Sequence, residues 1–169
     1  LKLEPQSLNL VAFCKDLTVD YEALCQQKNI IFHFLPSRTV IRVEFDPEKM
    51  EILLSNLISN AFKYTPEGGK IVLSIDETDE KITLVVEDNG IGIKKEFQDA
   101  IFERFFQVEN TEIFSTGDGI GLSFVKHLVE LHDGTIHVES ELNKGAKFIG
   151  LHLEGPYFSP SQCGAQDPN

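Results

Sequence analysis

The sequence predicts an α+β fold: a two-layer sandwich in which one mixed sheet is covered by helices on one face. Three observations carry that expectation. Runs of strand character come in adjacent pairs, 30–35 with 40–45, 70–76 with 81–87, and 135–140 with 146–153. Helical patterns over 8–27, 46–64 and 121–132 separate those pairs, an order that favours a mixed sheet over a doubly wound parallel one. The 169 residues are 41% hydrophobic and 25% charged, which suits one domain with its own core.

Each element has a local reason. Within 8–27, Phe13, Leu17, Tyr21 and Leu24 recur at helical spacing. Segments 30–35 and 40–45 are rich in β-branched and aromatic residues, and Pro36-Ser37 lies between them, so they read as two strands around a turn. Asp46-Pro47 is a helix start, an N-cap acid followed by proline at the first helical position. From Met50 onward, Leu53, Leu54, Leu57, Ile58, Ala61 and Phe62 fall on one face, and the helix stops near Tyr64, before Pro66 and the Gly68-Gly69 turn. A short acidic turn joins strands 70–76 and 81–87. The region 89–118 holds Gly90, Gly92, a short helical stretch over 95–102 and a polar run over 107–118, and reads as a lid or a disordered segment. The helix 121–132 stops at Asp133-Gly134, and two strands close the domain. No pattern remains after Glu154, so the expected division is a domain over 1–154 and a disordered tail or linker over 155–169. The chain starts at Leu1 in mid-pattern, without initiator methionine or signal peptide, and is expected to be a fragment of something longer.

Charge excludes one broad class. With a formal net charge of −12 and a pI near 4.8, the chain repels a nucleic-acid backbone. Binding a polyphosphate would require a local arrangement of groups and a divalent cation. Cys14, Cys25 and Cys163 are odd in number and lack metal-site spacing, so free thiols in a reducing cytoplasm are expected. No stretch is long and apolar enough to span a bilayer.

Three clusters carry chemistry. Asn56, Asn60, Lys63 and Tyr64 stand at i, i+4, i+7 and i+8, one stripe beside the apolar face of their helix. Asparagine is a poor helix former, so two of them one turn apart in a helix interior need a reason. An amide oxygen is a hard ligand suited to Mg²⁺ shared with phosphates, and a lysine can meet a phosphate as a point charge; a solvated polar face is the plainer alternative. In the second cluster, Asp88-Asn89-Gly90-Ile91-Gly92 follows an apolar strand. The aspartate can accept from an exocyclic amine such as that of adenine, and the glycines admit a flat base; an ordinary glycine turn is the alternative. The third cluster, Gly117-Asp118-Gly119-Ile120-Gly121-Leu122, opens a helix and so offers N–H groups and a dipole to phosphate, or else a flexible hinge. It is not a P-loop, because the G-K-[ST] ending is missing.

Taken together the clusters resemble one family. N-L-I-S-N-A-F-K-Y-T-P (56–66) resembles the N box of sensor histidine kinases, and E-D-N-G-I-G-I (87–93) their G1 box. I-F-E-R-F-F-Q (101–107) is similar to the F box, G-D-G-I-G-L-S-F-V-K (117–126) to the G2 box, and K-G-A-K-F (144–148) to the last glycine motif. The resemblance covers about residues 5–153 and implies a Bergerat ATP-binding fold, shared with gyrase, the large heat-shock chaperones and mismatch-repair ATPases. It implies that Asn60 coordinates Mg²⁺, Asn56 assists at the phosphates and Lys63 contacts phosphate, these three forming the catalytic set. It further implies that Tyr64 lines the nucleotide and Asp88 binds the adenine amine, with Gly90, Gly92 and Ile93 bordering the base. Gly117, Gly119 and Gly121 would wrap the phosphates under a mobile lid anchored by Phe102 and Phe105, with Ile120 and Leu122 also among the ATP-binding residues. Thr116 and Asp118 stand where the family often has glycine and threonine.

The reaction the resemblance implies is γ-phosphoryl transfer from Mg-ATP to a histidine, with relay to a response-regulator receiver domain. ATP-hydrolysing relatives carry a glutamate base where this chain has Asn56, and an amide cannot take a proton from water. A neutral imidazole needs no such activation. Among His33, His127, His132, His137 and His152, only His132 precedes an acid, and Asp133-Gly134 there ends a helix. The phosphoacceptor is therefore expected on dimerisation helices of the parent, N-terminal to Leu1. The parent is expected to be a homodimer anchored in the inner membrane and the fragment a cytoplasmic monomer. An ATP-hydrolysing conformational switch and a nucleotide-free signalling module are the competing readings.

Overall fold

Backbone pairing sorts the strands into two sheets in the structure, a computed structural model that describes residues 2–104 and 121–150. The elements run β1 (Gln6–Asn9), α1 (Leu10–Val19), α2 (Glu22–Lys28), β2 (Ile31–Pro36), β3 (Arg42–Phe45), α3 (Pro47–Tyr64), β4 (Lys70–Glu77), β5 (Ile82–Asp88), α4 (Gly121–Leu131), β6 (Ile136–Glu141) and β7 (Gly145–Gly150). The main sheet has the order β2-β4-β5-β7-β6, with β2 and β4 parallel and every other pair antiparallel. The fold class is the α+β sandwich with a mixed sheet that the sequence predicts.

Alternation decides which side of the sheet meets the helices. Ile71, Leu73 and Ile75 of β4 and Ile82, Leu84 and Val86 of β5 are buried in one core with Leu10, Val11, Cys14 and Leu17 of α1, the apolar face of α3, and Val125, Leu128 and Val129 of α4. Val72, Ser74, Val85 and Ile149 point the other way and are half-buried.

The structure departs from the sequence reading in three places. The residues 30–35 and 40–45 do not form a hairpin. β2 runs parallel to β4 with Ile31 opposite Lys70, while β3 pairs antiparallel with β1, with Phe45 opposite Gln6. Asn9 explains the divergence: its Oδ1 caps α1 through the Val11 N–H and also accepts the Ile41 N–H, each at 3.1 Å, so the start of β3 belongs to β1. A parallel pair needs a long crossover, and here α3 lies within it. The predicted helix 8–27 is two helices, because the chain turns at Asp20-Tyr21 and seats the Tyr21 ring against Phe62 and Phe32, with centroids at 5.6 and 6.4 Å. The short helical stretch over 95–102 consists of two 3₁₀ turns, Lys95–Phe97 and Ala100–Phe102.

α3 begins as the sequence predicts. Asp46 caps it by accepting the Lys49 N–H at 3.1 Å, with Pro47 inside the first turn. Its far end lacks a glycine cap. Lys28 of α2 instead donates its ammonium to the carbonyls of Phe62 and Thr65, a cation on the negative end of the helix. α4 lies antiparallel to α3. The Asp46 N–H donates to Nε2 of buried His132 at 3.2 Å, and the other end of the pair brings Gly121 against Asn56.

Candidate functional site

The apolar face of α3 is anchored in the core, so its amide stripe is carried to one edge of that core. Asn56 is half-buried, and its Nδ2 donates to the Ile52 carbonyl at 2.7 Å. That bond leaves Oδ1 toward the first turn of α4, where a Cβ on Gly121 would lie 3.2 Å from it. One turn on, the Asn60 carboxamide has no hydrogen-bond partner among the described residues. Lys63 and Tyr64 follow, with the Lys63 ammonium 5.5 Å from the Tyr64 ring centroid. Burial raises the pKa of the Tyr64 phenol.

Asp88 occupies the fourth inward position of β5, after Ile82, Leu84 and Val86, which puts a carboxylate on the core-facing side of the sheet with 8% exposure. The Gly90 N–H donates to its Oδ1 at 2.8 Å, and the Ala146 N–H also reaches the carboxylate. Burial pushes its pKa above the ordinary carboxylate range; those two N–H groups oppose the rise and nearby Glu87 adds to it. A carboxylate has about four lone-pair sites, so two remain for a further donor.

The loop after Asp88 is held against α3. The Ile91 N–H donates to the Tyr64 carbonyl at 3.2 Å, and a Cβ on Gly90 would lie 2.2 Å from that same oxygen. Only glycine fits at position 90 without displacing backbone. The amide stripe and the buried acid therefore share one edge of the core. Beside them, the Thr65 hydroxyl is buried without a hydrogen-bond partner among the described residues.

The structure brings Asn56 to Gly121, and Tyr64 to Gly90 and Asp88. Leu122 packs half-buried in the first turn of α4. Phe102 reaches the same core edge-on to Phe148, with centroids 6.2 Å apart. Gly92 adopts φ 71° and abuts the Glu141 carbonyl. Ile93 lines a separate shallow cleft with Lys94, Lys95, Glu96, Ser140, Glu141 and Leu142. Phe105, Gly117, Gly119 and Ile120 lie outside the described residues, as do the expected lid, His152 and Cys163.

Sequence reasoning missed the groups that hold this site in place. Asn89 accepts the Lys70 N–H through Oδ1 at 2.8 Å, which ties the loop to the start of β4. Lys28, Ser140 and Gln98 also support it, and their separations in sequence conceal them. Among the described residues, no group of His, Cys, Asp and Glu is placed to hold a metal by itself. No described helix is long and apolar enough to cross a membrane.

Comparison with known proteins fits this geometry. Residues 45–156 match the family profile of the histidine kinase-, DNA gyrase B-, and HSP90-like ATPases. The chain is 39% identical over 159 residues to "Histidine kinase P4" of Formosa agariphila, covering 91% of this chain but 12% of that protein. It is 36% identical over 141 residues to the sensor histidine kinase WalK of Bacillus subtilis, covering 82% of this chain and 23% of WalK. The solved catalytic domain of histidine kinase ThkA superposes with a TM-score of 0.77 at 31% identity, covering 88% of this chain and 94% of that one. ThkA has also been solved in complex with the response regulator protein TrrA, and there the match has a TM-score of 0.75 at 28% identity, covering 89% of this chain and 42% of that one. With the asparagine-bearing helix and the Asp88 loop on one edge of the same α+β sandwich, the chain belongs to the histidine kinase-, DNA gyrase B-, and HSP90-like ATPases, as an ATP-binding catalytic domain of the histidine kinase kind.

Proposed function

We propose that this domain binds Mg-ATP between α3 and the loop 88–93 and directs the γ-phosphoryl to a histidine on a dimerisation helix of its parent protein. From there the group passes to an aspartate of a response-regulator receiver domain. One observation supports this above the rest: a buried carboxylate and an uncommitted asparagine amide lie on one edge of the core, joined through the Tyr64 carbonyl.

Each residue has a separate task. Asp88 accepts the adenine amine through its remaining lone pairs, and its burial makes that bond selective. Asn60 offers a hard amide oxygen that no other described group engages, which fits a magnesium ligand. A magnesium ion held there would supply neutralisation of the phosphate charge. Asn56 steadies the phosphates from the next turn, and Lys63 adds a point charge within a chain of net charge −12. Because Asn56 is an amide, the site has no base there to activate water, which favours an imidazole acceptor over hydrolysis. His33, His127 and His137 are exposed on β2, α4 and β6, and His132 is buried with both ring nitrogens engaged.

Calorimetric titration with ATP, with and without magnesium, tests the reading. Binding is expected to weaken about ten- to a hundred-fold in Asp88→Asn, the range for a lost hydrogen bond to a charged group. Asn60→Ala is expected to abolish most of the magnesium dependence. Labelled ATP should modify a histidine-bearing partner helix and leave this chain nearly unlabelled. Wild-type affinity in a variant carrying both Asp88→Asn and Asn60→Ala, or strong label on this chain alone, defeats the proposal.

A further inference from the structure

The loop that follows Asp88 is an arch with two feet, and only one of them is the acid. Ser140 of β6 stands opposite Ala146 of β7, and Ala146 stands opposite Asp88 of β5. The three residues form one cross-strand row, so Ser140 sits on the same face of the sheet as Asp88, two strands away. The loop leaves β5 at Asp88, passes over the end of β7 and comes down on β6. Along the way it is held closely. A Cβ on Gly145 would lie 1.9 Å from the Asp88 carbonyl, the Asn143 N–H donates to the Ile91 carbonyl at 2.7 Å, and Gly92 abuts Glu141.

The far foot is a side-chain clasp. The Ser140 hydroxyl accepts the Ile93 N–H at 2.8 Å and donates to the Gly145 carbonyl at 2.7 Å, which uses its donor and one acceptor site at once. The Gln98 amide closes the same point, donating to the Ile93 carbonyl at 3.0 Å and to the Ser140 carbonyl at 2.8 Å. Ile93 is thus tied through both its N–H and its C=O by side chains 47 and 5 residues away. Without the hydroxyl, a backbone donor and a backbone acceptor in a half-buried place both lose their partner.

We infer that Ser140, supported by Gln98, is a positioning residue for the base-binding half of the nucleotide site. It fixes the span of the arch and so the room available over Asp88, Gly90 and Gly92. This rests on the nucleotide-binding reading above. The clasp holds the loop and not α3. Loss of Ser140 loosens recognition of the base and leaves the phosphate end, on Asn60 and Lys63, as it was.

The test is displacement of a fluorescent ATP analogue from the 169-residue chain by three probes: Mg-ATP, adenosine and Mg-tripolyphosphate, which lacks a base. Ser140→Ala is expected to weaken ATP and adenosine about five- to twenty-fold, the range for one or two lost hydrogen bonds, with tripolyphosphate within two-fold. Ser140→Thr keeps the hydroxyl on a strand position that accepts a β-branched residue, and is expected to restore binding. Gln98→Met, a milder change that leaves the serine in place, is expected to move ATP the same way by about two- to five-fold. Unchanged ATP affinity in Ser140→Ala and Gln98→Met overturns the inference. So does an equal loss for all three probes, which would mean general loosening. Should the unaltered chain bind neither ATP nor adenosine, the nucleotide reading itself fails, a separate result.

Discussion

Asp46 holds separate parts of the fold together through one carboxylate. It caps α3 through the Lys49 N–H, accepts the Glu4 N–H at 2.8 Å and the Lys49 ammonium at 3.0 Å, and is 2% exposed. Burial alone would raise its pKa, but the two N–H bonds and the Lys49 charge outweigh that and hold it near about 2. An unfolded aspartate titrates near about 3.9. The folded value is the lower, so this carboxylate stabilises the fold above pH ~4 and its contribution is lost as pH falls from ~4 toward ~2. That contribution is about 2 kcal/mol. Urea unfolding of the wild type should weaken over that window, and Asp46→Asn should flatten the dependence there while costing about 1–2 kcal/mol at pH 7. A slope unchanged by the substitution would count against the assignment. Cys14, also buried, has its thiol pushed up to about 12 by desolvation and has no acid–base part to play near neutrality.

At the scale of elements, legibility in the sequence followed locality. α3 was readable from its cap, its apolar period and the stop before Pro66, because every signal lies within the element. The buried place of Asp88 was readable because an apolar strand runs straight into it. The partner of β2 was not, since Ile31–Pro36 chooses between β3 and β4 by the reach of Asn9 from 32 residues before Ile41. β1 has four residues and no buried one, too little for any periodicity. The Ser140 clasp was hidden for the same reason, since Ile93 and Gln98, which it joins to β6, lie 47 and 42 residues from Ser140. The pairing of α3 with α4 carries a prediction. Leu128 O receives a hydrogen from Nδ1 of His132 at 2.8 Å and the Asp46 N–H donates to Nε2, which selects the Nδ1–H tautomer. His132→Ala leaves that buried N–H without a partner and opens a cavity, and is expected to cost about 2–3 kcal/mol in chemical denaturation. A loss below about 0.5 kcal/mol, the level of an ordinary surface change, would show that the bond does little for the pair.

Over the whole molecule, residues that the family profile does not reach help to hold the proposed nucleotide site. The match begins at residue 45, yet Lys28 closes the end of α3, Asn9 secures the approach to β3, and the Glu4 N–H meets the Asp46 carboxylate. Leu10, Cys14 and Ile41 are all at or below 1% exposure in the common core. The smallest autonomous piece is therefore expected to be larger than the span that homology outlines. An expression clone trimmed to 45–156 would strip β1, α1, α2, β2 and all of β3 but Phe45, and uncover the parallel edge of β4. Such a product is expected to collect in inclusion bodies, and its recovery as a monomer with a sharp thermal transition would show that the first forty-four positions are dispensable.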